Sequence, residues 1–131
     1  MTPEPITIGP EHRAHLRRAI DAALPRECCG VLLGADDSGV VVVRRVLPTL
    51  NATTLTGSFV IPGDEIRRVR RLAGQSGEAI IAMFHSHPGG PLDLSNDDRK
   101  ALVYSEWPWV IVTEADMPGD VEFRHYGRSA G

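Results

Sequence analysis

Cysteine is almost missing from this chain: Cys28 and Cys29 are its only two, and they are adjacent. Sequence neighbours close no loop worth constraining, and bridging them requires a strained ring. A disulfide framework is therefore excluded, and a reducing compartment is expected. Long apolar runs are missing too. Ala79 to Phe84 and Val40 to Val43 are among the longest, far short of the roughly 20 residues that cross a bilayer, so no membrane span is expected. The start, Met1-Thr2-Pro3-Glu4, has neither the basic opening nor the apolar core of a secretory signal, which makes the cytoplasm the expected location. Excess positive charge is absent as well. Fourteen Lys and Arg stand against 17 Asp and Glu, a formal charge of −3, which gives no overall attraction to a polyanion and argues against nucleic acid as a partner. Thirteen of the 14 basic residues are Arg, scattered along the chain; we attribute that to genome composition. Repeats, low-complexity tracts and linkers are also lacking, and 131 residues suit one domain spanning residues 1–131.

What is present reads as a globular mixture of strands and helices, with 42% hydrophobic and 24% charged residues, both near ordinary values. Ile6 to Ile8 is a short strand candidate. From Glu11 to Leu24 the apolar residues Leu16, Ala19, Ile20, Ala23 and Leu24 recur at helical spacing. Cys29 to Leu33 and Val40 to Leu47 read as strands joined through the turn Asp36-Asp37-Ser38-Gly39 into an antiparallel hairpin, with Pro48 expected to end the second. Asn51 to Gly57 is a polar loop, Phe59-Val60-Ile61 a return to strand, and Gly63 to Ala73 a helix whose Arg67, Arg68, Arg70 and Arg71 fall outside its apolar face. Glu78 to Phe84 reads as a central strand running into His85. Ser95 can cap a helix from Asn96 to about Ser105, and Trp109 to Thr113 and Val121 to Tyr126 complete the strands. Without strict βαβ alternation, the expected class is α+β, a mixed β-sheet flanked by α-helices.

His85 and His87 lie two apart at the end of a strand, and the strand period of two points both imidazoles to one side. A His-x-His pair alone is weak ground for a metal. Asp98, eleven residues after His87, can be brought back over the strand end by the Pro88-Gly89-Gly90-Pro91 turn. Ser95-x-x-Asp98 also has the form of a capping box, in which the acidic residue merely satisfies backbone donors. The two roles can coexist in one carboxylate. Other zinc patterns are absent, with neither His-Glu-x-x-His nor the Pro-Cys-x-x-Cys of nucleobase deaminases. Cys28 and Cys29 read as small buried residues entering a strand.

The full run His85-Ser86-His87-Pro88, continuing to Ser95 and Asp98 as His-x-His-x10-Asp, resembles the JAMM motif of the JAB1/MPN/Mov34 metalloenzymes. Upstream, Glu27-Cys28-Cys29-Gly30 is similar to that family's Glu-x-Cys-Gly strand start. The resemblance implies a JAB1/MPN-like fold with the layering of cytidine deaminases, zinc held by His85, His87 and Asp98, Glu27 as catalytic base, and Ser95 hydrogen-bonding the oxyanion. Three protein ligands leave a position for water, the arrangement of catalytic zinc. The compact bacterial members, including the Mec-type hydrolases of cysteine biosynthesis, act on small ubiquitin-like sulfur carriers of β-grasp fold. By that likeness the expected reaction is hydrolysis of the amide bond after a carrier's C-terminal Gly-Gly, releasing cysteine. An isopeptidase acting on another ubiquitin-like adduct, a non-catalytic MPN interaction module and a homodimeric state stay open at this stage.

Overall fold

The structure, a computed structural model, describes residues 5–127. Ile6–Thr7 forms strand β1, and Pro10 opens helix α1 (Pro10–Ala23) at the position where its missing N–H is not needed. Leu16 and Ile20, one helical turn apart, are the buried residues of α1; full burial of such a side chain contributes roughly 1.5–3 kcal/mol. The expected hairpin follows as β2 (Cys29–Asp37) and β3 (Val40–Thr49). At its turn Ser38 and Gly39 take φ of 57° and 84°, two left-handed values that match the twist of paired strands, and the Asp36 carboxylate accepts the Gly39 N–H at 3.0 Å.

Both arms outrun their expected ends. Pro48 does not stop β3 but sits inside it opposite Gly30. On the far side of β3, β1 pairs only with Val41 and Val42, so Pro48 lies on an edge segment, where a strand tolerates proline. A guanidinium N–H of Arg68 donates to its carbonyl there.

Helix α2 (Gly63–Ser76) ends at Gly77, whose φ of 70° is the left-handed cap glycine favours. Then come β4 (Ala79–Ser86), α3 (Asn96–Leu102), β5 (Trp109–Glu114) and β6 (Val121–Tyr126). One sheet runs β1-β3-β2-β4-β5-β6. Its β1–β3 and β4–β5 pairs are parallel and the rest antiparallel, the mixed α+β arrangement expected. Phe59-Val60-Ile61 is no strand. The Val60 N–H goes to the Asn51 side chain and its carbonyl to Ala52, so this segment is tied into the loop rather than the sheet. Helix α3 is also shorter than expected, because the Ser105 hydroxyl is drawn to Trp107 and Trp109.

Alternation along the central strands divides the core. Ala82, Phe84, Val110 and Val112 pack with Leu16 and Ile20 of α1. On the other face Val31 and Leu33 meet Val69 and Ala73 of α2, while Trp109 and Ile111 meet Leu94 and Leu102 at α3. Gly30 is required at the middle of this packing. A Cβ there would strike the Leu47 carbonyl oxygen and stand 2.7 Å from the Phe84 ring. No helix among the described residues is long and apolar enough to cross a membrane.

Candidate metal centre

Period two along β4 sends Phe84 to the α1 side and His85 to the opposite face, where it stacks on Phe59 at 4.4 Å between ring centroids and meets Trp109 edge-on at 5.1 Å. His87, just beyond the strand, has its ring centroid 5.0 Å from that of His85. After it, Gly89 and Gly90 take φ of 79° and 74°, and the turn they form returns the Pro91 carbonyl to 2.9 Å from His87 Nδ1. Nδ1 donating there would leave Nε2 with the lone pair that imidazole uses to bind a metal.

Asp98 comes from the first turn of α3. Its Oδ2 is 3.0 Å from His87 Nε2 and its Oδ1 is 3.2 Å from His85 Nε2. The latter is not aligned for a hydrogen bond, so His85 Nε2 is a buried polar atom without a hydrogen-bond partner in the structure. Such an atom costs free energy unless something occupies its lone pair. One donor atom from each of His85, His87 and Asp98 lies within 4.8 Å of the others. Two imidazole nitrogens and a carboxylate oxygen suit zinc, and these residues therefore fit a metal. The capping box is present as well: the Ser95 N–H donates to Asp98 Oδ2, and the Asp98 N–H to Ser95 Oγ, each at 3.0 Å. Burial works against the Asp98 charge, yet the nearby imidazoles of His85 and His87 and the hydrogen bond from the Ser95 N–H hold its carboxyl well below the ordinary range. Burial lowers the pKa of His85, whereas the Asp98 hydrogen bond raises that of His87.

Glu27 stands just before β2, 5% exposed. Burial raises its carboxyl to about 7, opposed by His87 and reinforced by the negative charge of Asp98. Glu27, His87 and Ser95 line one cleft of about 370 Å³ together with Pro25, Thr56 and Gly90. The structure thus gathers all five residues singled out in the sequence at one place. Cys28 and Cys29 are buried free thiols, and burial pushes Cys28 up to about 11 and raises Cys29, which leaves both neutral.

The profile of prokaryotic homologs of the JAB domain matches residues 10–126. The chain belongs to the prokaryotic JAB-domain family. As a member of the JAB family it is a hydrolase of the JAMM type. It is 28% identical over 109 residues to the desampylase of Pyrococcus furiosus, covering 82% of this chain and 74% of that one. A solution structure of a Desulfitobacterium hafniense protein superposes with a TM-score of 0.80 at 25% identity, covering 92% of this chain and 82% of that one. The crystal structure of a JAB1/MPN domain protein from Archaeoglobus fulgidus shares the fold, with a TM-score of 0.57 at 19% identity over 96% of this chain and 91% of that one.

Four further residues of this JAB-family site were not singled out by sequence reasoning as site residues. Phe59 and Trp109 hold the His85 ring. Ser86, wholly buried between the two histidines in sequence, accepts the Cys28 N–H on its hydroxyl at 2.8 Å. The Asn51 amide bonds the Glu27 carbonyl at 3.1 Å. A small polar residue between two metal-type histidines, and an asparagine opening a loop, were the available signals; neither indicates its partner.

Proposed function

We propose that this chain is a one-domain, zinc-dependent cytoplasmic hydrolase that cleaves the amide bond after the C-terminal Gly-Gly of a small ubiquitin-like sulfur carrier, releasing cysteine. The observation that carries the reading is the convergence of His85, His87 and Asp98 beside a buried carboxyl, Glu27, whose pKa stands at about 7. His85 Nε2, His87 Nε2 and an Asp98 oxygen would hold the metal. Zinc, when bound, supplies Lewis acidity that acidifies water and polarises a carbonyl. Glu27 takes a proton from the attacking water as the new C–O bond forms, and returns it to the nitrogen as the C–N bond breaks, so an acid and an amine leave. The Ser95 hydroxyl accepts the Asp98 N–H and keeps its own proton free to donate to the carbonyl oxygen as negative charge develops. All five residues belong to one chain.

Similarity to the Pyrococcus desampylase supports a ubiquitin-like protein partner. Gly57 and Gly90 among the cleft walls support a Gly-Gly tail, since walls without side chains let an extended main chain approach closely. The desampylase likeness also favours a second reading, release of other adducts from the same kind of tail. Mass spectrometry of a carrier–cysteine adduct incubated with the zinc-loaded enzyme decides between them. Loss of the cysteine mass with wild type and not with Glu27→Gln is expected. An intact cysteine adduct beside efficient cleavage of a lysine-linked isopeptide would establish the second reading instead.

A further inference from the structure

The peptide unit between Glu27 and Cys28 is held by side chains on both sides. Its N–H, that of Cys28, donates to Ser86 Oγ at 2.8 Å, and its carbonyl, that of Glu27, accepts from Asn51 Nδ2 at 3.1 Å. In a regular antiparallel ladder the Cys28 N–H would bond the facing backbone carbonyl. The Ser86 N–H does donate to the Cys28 carbonyl at 3.0 Å, but the return bond has been transferred to the hydroxyl, at the point where β2 meets Glu27. Asn51 is committed completely. Besides the Glu27 carbonyl it donates to Ser58 at 3.3 Å, and its oxygen accepts the N–H groups of Thr53 and Val60 at 3.2 and 2.9 Å. That uses both donors and both lone pairs of the amide. One side chain therefore ties the loop carrying Thr56 and Gly57, walls of the cleft, to the backbone of Glu27.

We propose that Asn51 and Ser86 are positioning residues for Glu27, clamping the Glu27–Cys28 peptide from both sides so that its carboxyl is presented to the cleft shared with His87 and Ser95. A peptide plane held at both its N–H and its C=O fixes the position of the Glu27 Cα, which lies in that plane, and with it the point from which the side chain starts. Neither Asn51 nor Ser86 belongs to the His85, His87 and Asp98 cluster, so their loss should leave metal binding intact. The inference rests on Glu27 being the base, as proposed above.

The test is turnover of the carrier–cysteine adduct by Asn51→Asp, Ser86→Ala and Ser86→Thr, each alone and combined with Glu27→Gln, with zinc content and thermal midpoint measured beside it. Asn51→Asp keeps the oxygen that anchors Thr53 and Val60 while removing the donor to Glu27. With wild-type zinc, Asn51→Asp and Ser86→Ala should each lose on the order of tenfold or more in kcat, with KM changed less than about twofold, as misplacement of a catalytic group does. Ser86→Thr, which retains the hydroxyl, should recover most of that loss. On the Glu27→Gln background either substitution should cost less than about twofold more, because residues acting through one group are not additive. Equal losses with and without Glu27 overturn the clamp alone, as does near-normal kcat in folded, zinc-loaded Asn51→Asp. Normal turnover by Glu27→Gln itself overturns the base assignment, and the clamp with it. If Ser86→Ala does not fold, Asn51→Asp carries the same comparison from the loop side.

Discussion

Ser95 and Asp98 exchange two hydrogen bonds of 3.0 Å, each side chain accepting the other's backbone N–H, so the carboxylate that faces both histidines also completes the capping box of α3. Helix start and candidate metal site are one structure. Removing the Ser95 side chain should act on both. Ser95→Ala is expected to cost about 1 kcal/mol of stability, and Ser95→Gly only a few tenths, since glycine is tolerated at the cap. If the hydroxyl also donates to the developing oxyanion, both variants should lose turnover alike, on the order of a hundredfold. Turnover that instead follows the stability ranking would leave Ser95 as a cap only. Thermal denaturation and steady-state kinetics on the two zinc-loaded variants separate these roles.

Metal content is the next expectation. Wild-type protein prepared without chelator should carry one zinc per chain, and His87→Ala should lose it, because one of three protein donors is gone. Asp98→Asn should weaken zinc by on the order of a hundredfold, removing the charged donor while retaining a group able to cap α3. Elemental analysis and competition with a chromophoric chelator measure both. A wild-type protein that binds no zinc would sink the hydrolase mechanism proposed above.

Much of this was legible in the residues. Period two along β4 put His85 and His87 on one side, and the capping pattern from Ser95 to Asp98 was readable alongside the metal reading; the structure shows the capping box, and His85, His87 and Asp98 clustered beside it. Glu27 was different. Glutamate is common outside cores, and only the resemblance through Cys29 and Gly30 marked it. The errors came where side chains took over backbone partners. Phe59 to Ile61 has strand composition, but Asn51 captures the Val60 N–H and the Phe59 ring is stacked on His85. Pro48 stays within β3 because β1 pairs only with Val41 and Val42, a fact of sheet order that local composition does not carry.

Gly30 supplies a prediction about the fold rather than the chemistry. A Cβ at this position would meet the Leu47 carbonyl and the Phe84 ring, both in the packed centre of the sheet. Gly30→Ala should therefore destabilise the protein by about 1–3 kcal/mol, the usual cost of forcing one extra methyl into a filled core. Chemical denaturation with unchanged m-value would show it. An unaltered midpoint would mean that β2 and β3 can separate there more easily than their register suggests.

The pH dependence follows from Glu27. Burial holds its carboxyl at about 7, above the ordinary value of 4.5, and a base must be ionised to accept a proton. Turnover should therefore fall as pH drops below about 7, and Glu27→Gln, reduced on the order of a hundredfold or more, should lack that limb. Stability runs the other way. A carboxyl with a raised folded pKa binds more protons in the native than in the unfolded chain between about 4.5 and 7, so the metal-free protein should lose stability as pH rises through that window. Glu27→Gln cannot ionise and should flatten that slope. Denaturation of metal-free wild type and Glu27→Gln at pH 5 and pH 8 gives the comparison: wild type should be relatively less stable at pH 8, and equal slopes for the two proteins would show that Glu27 is not held protonated by burial.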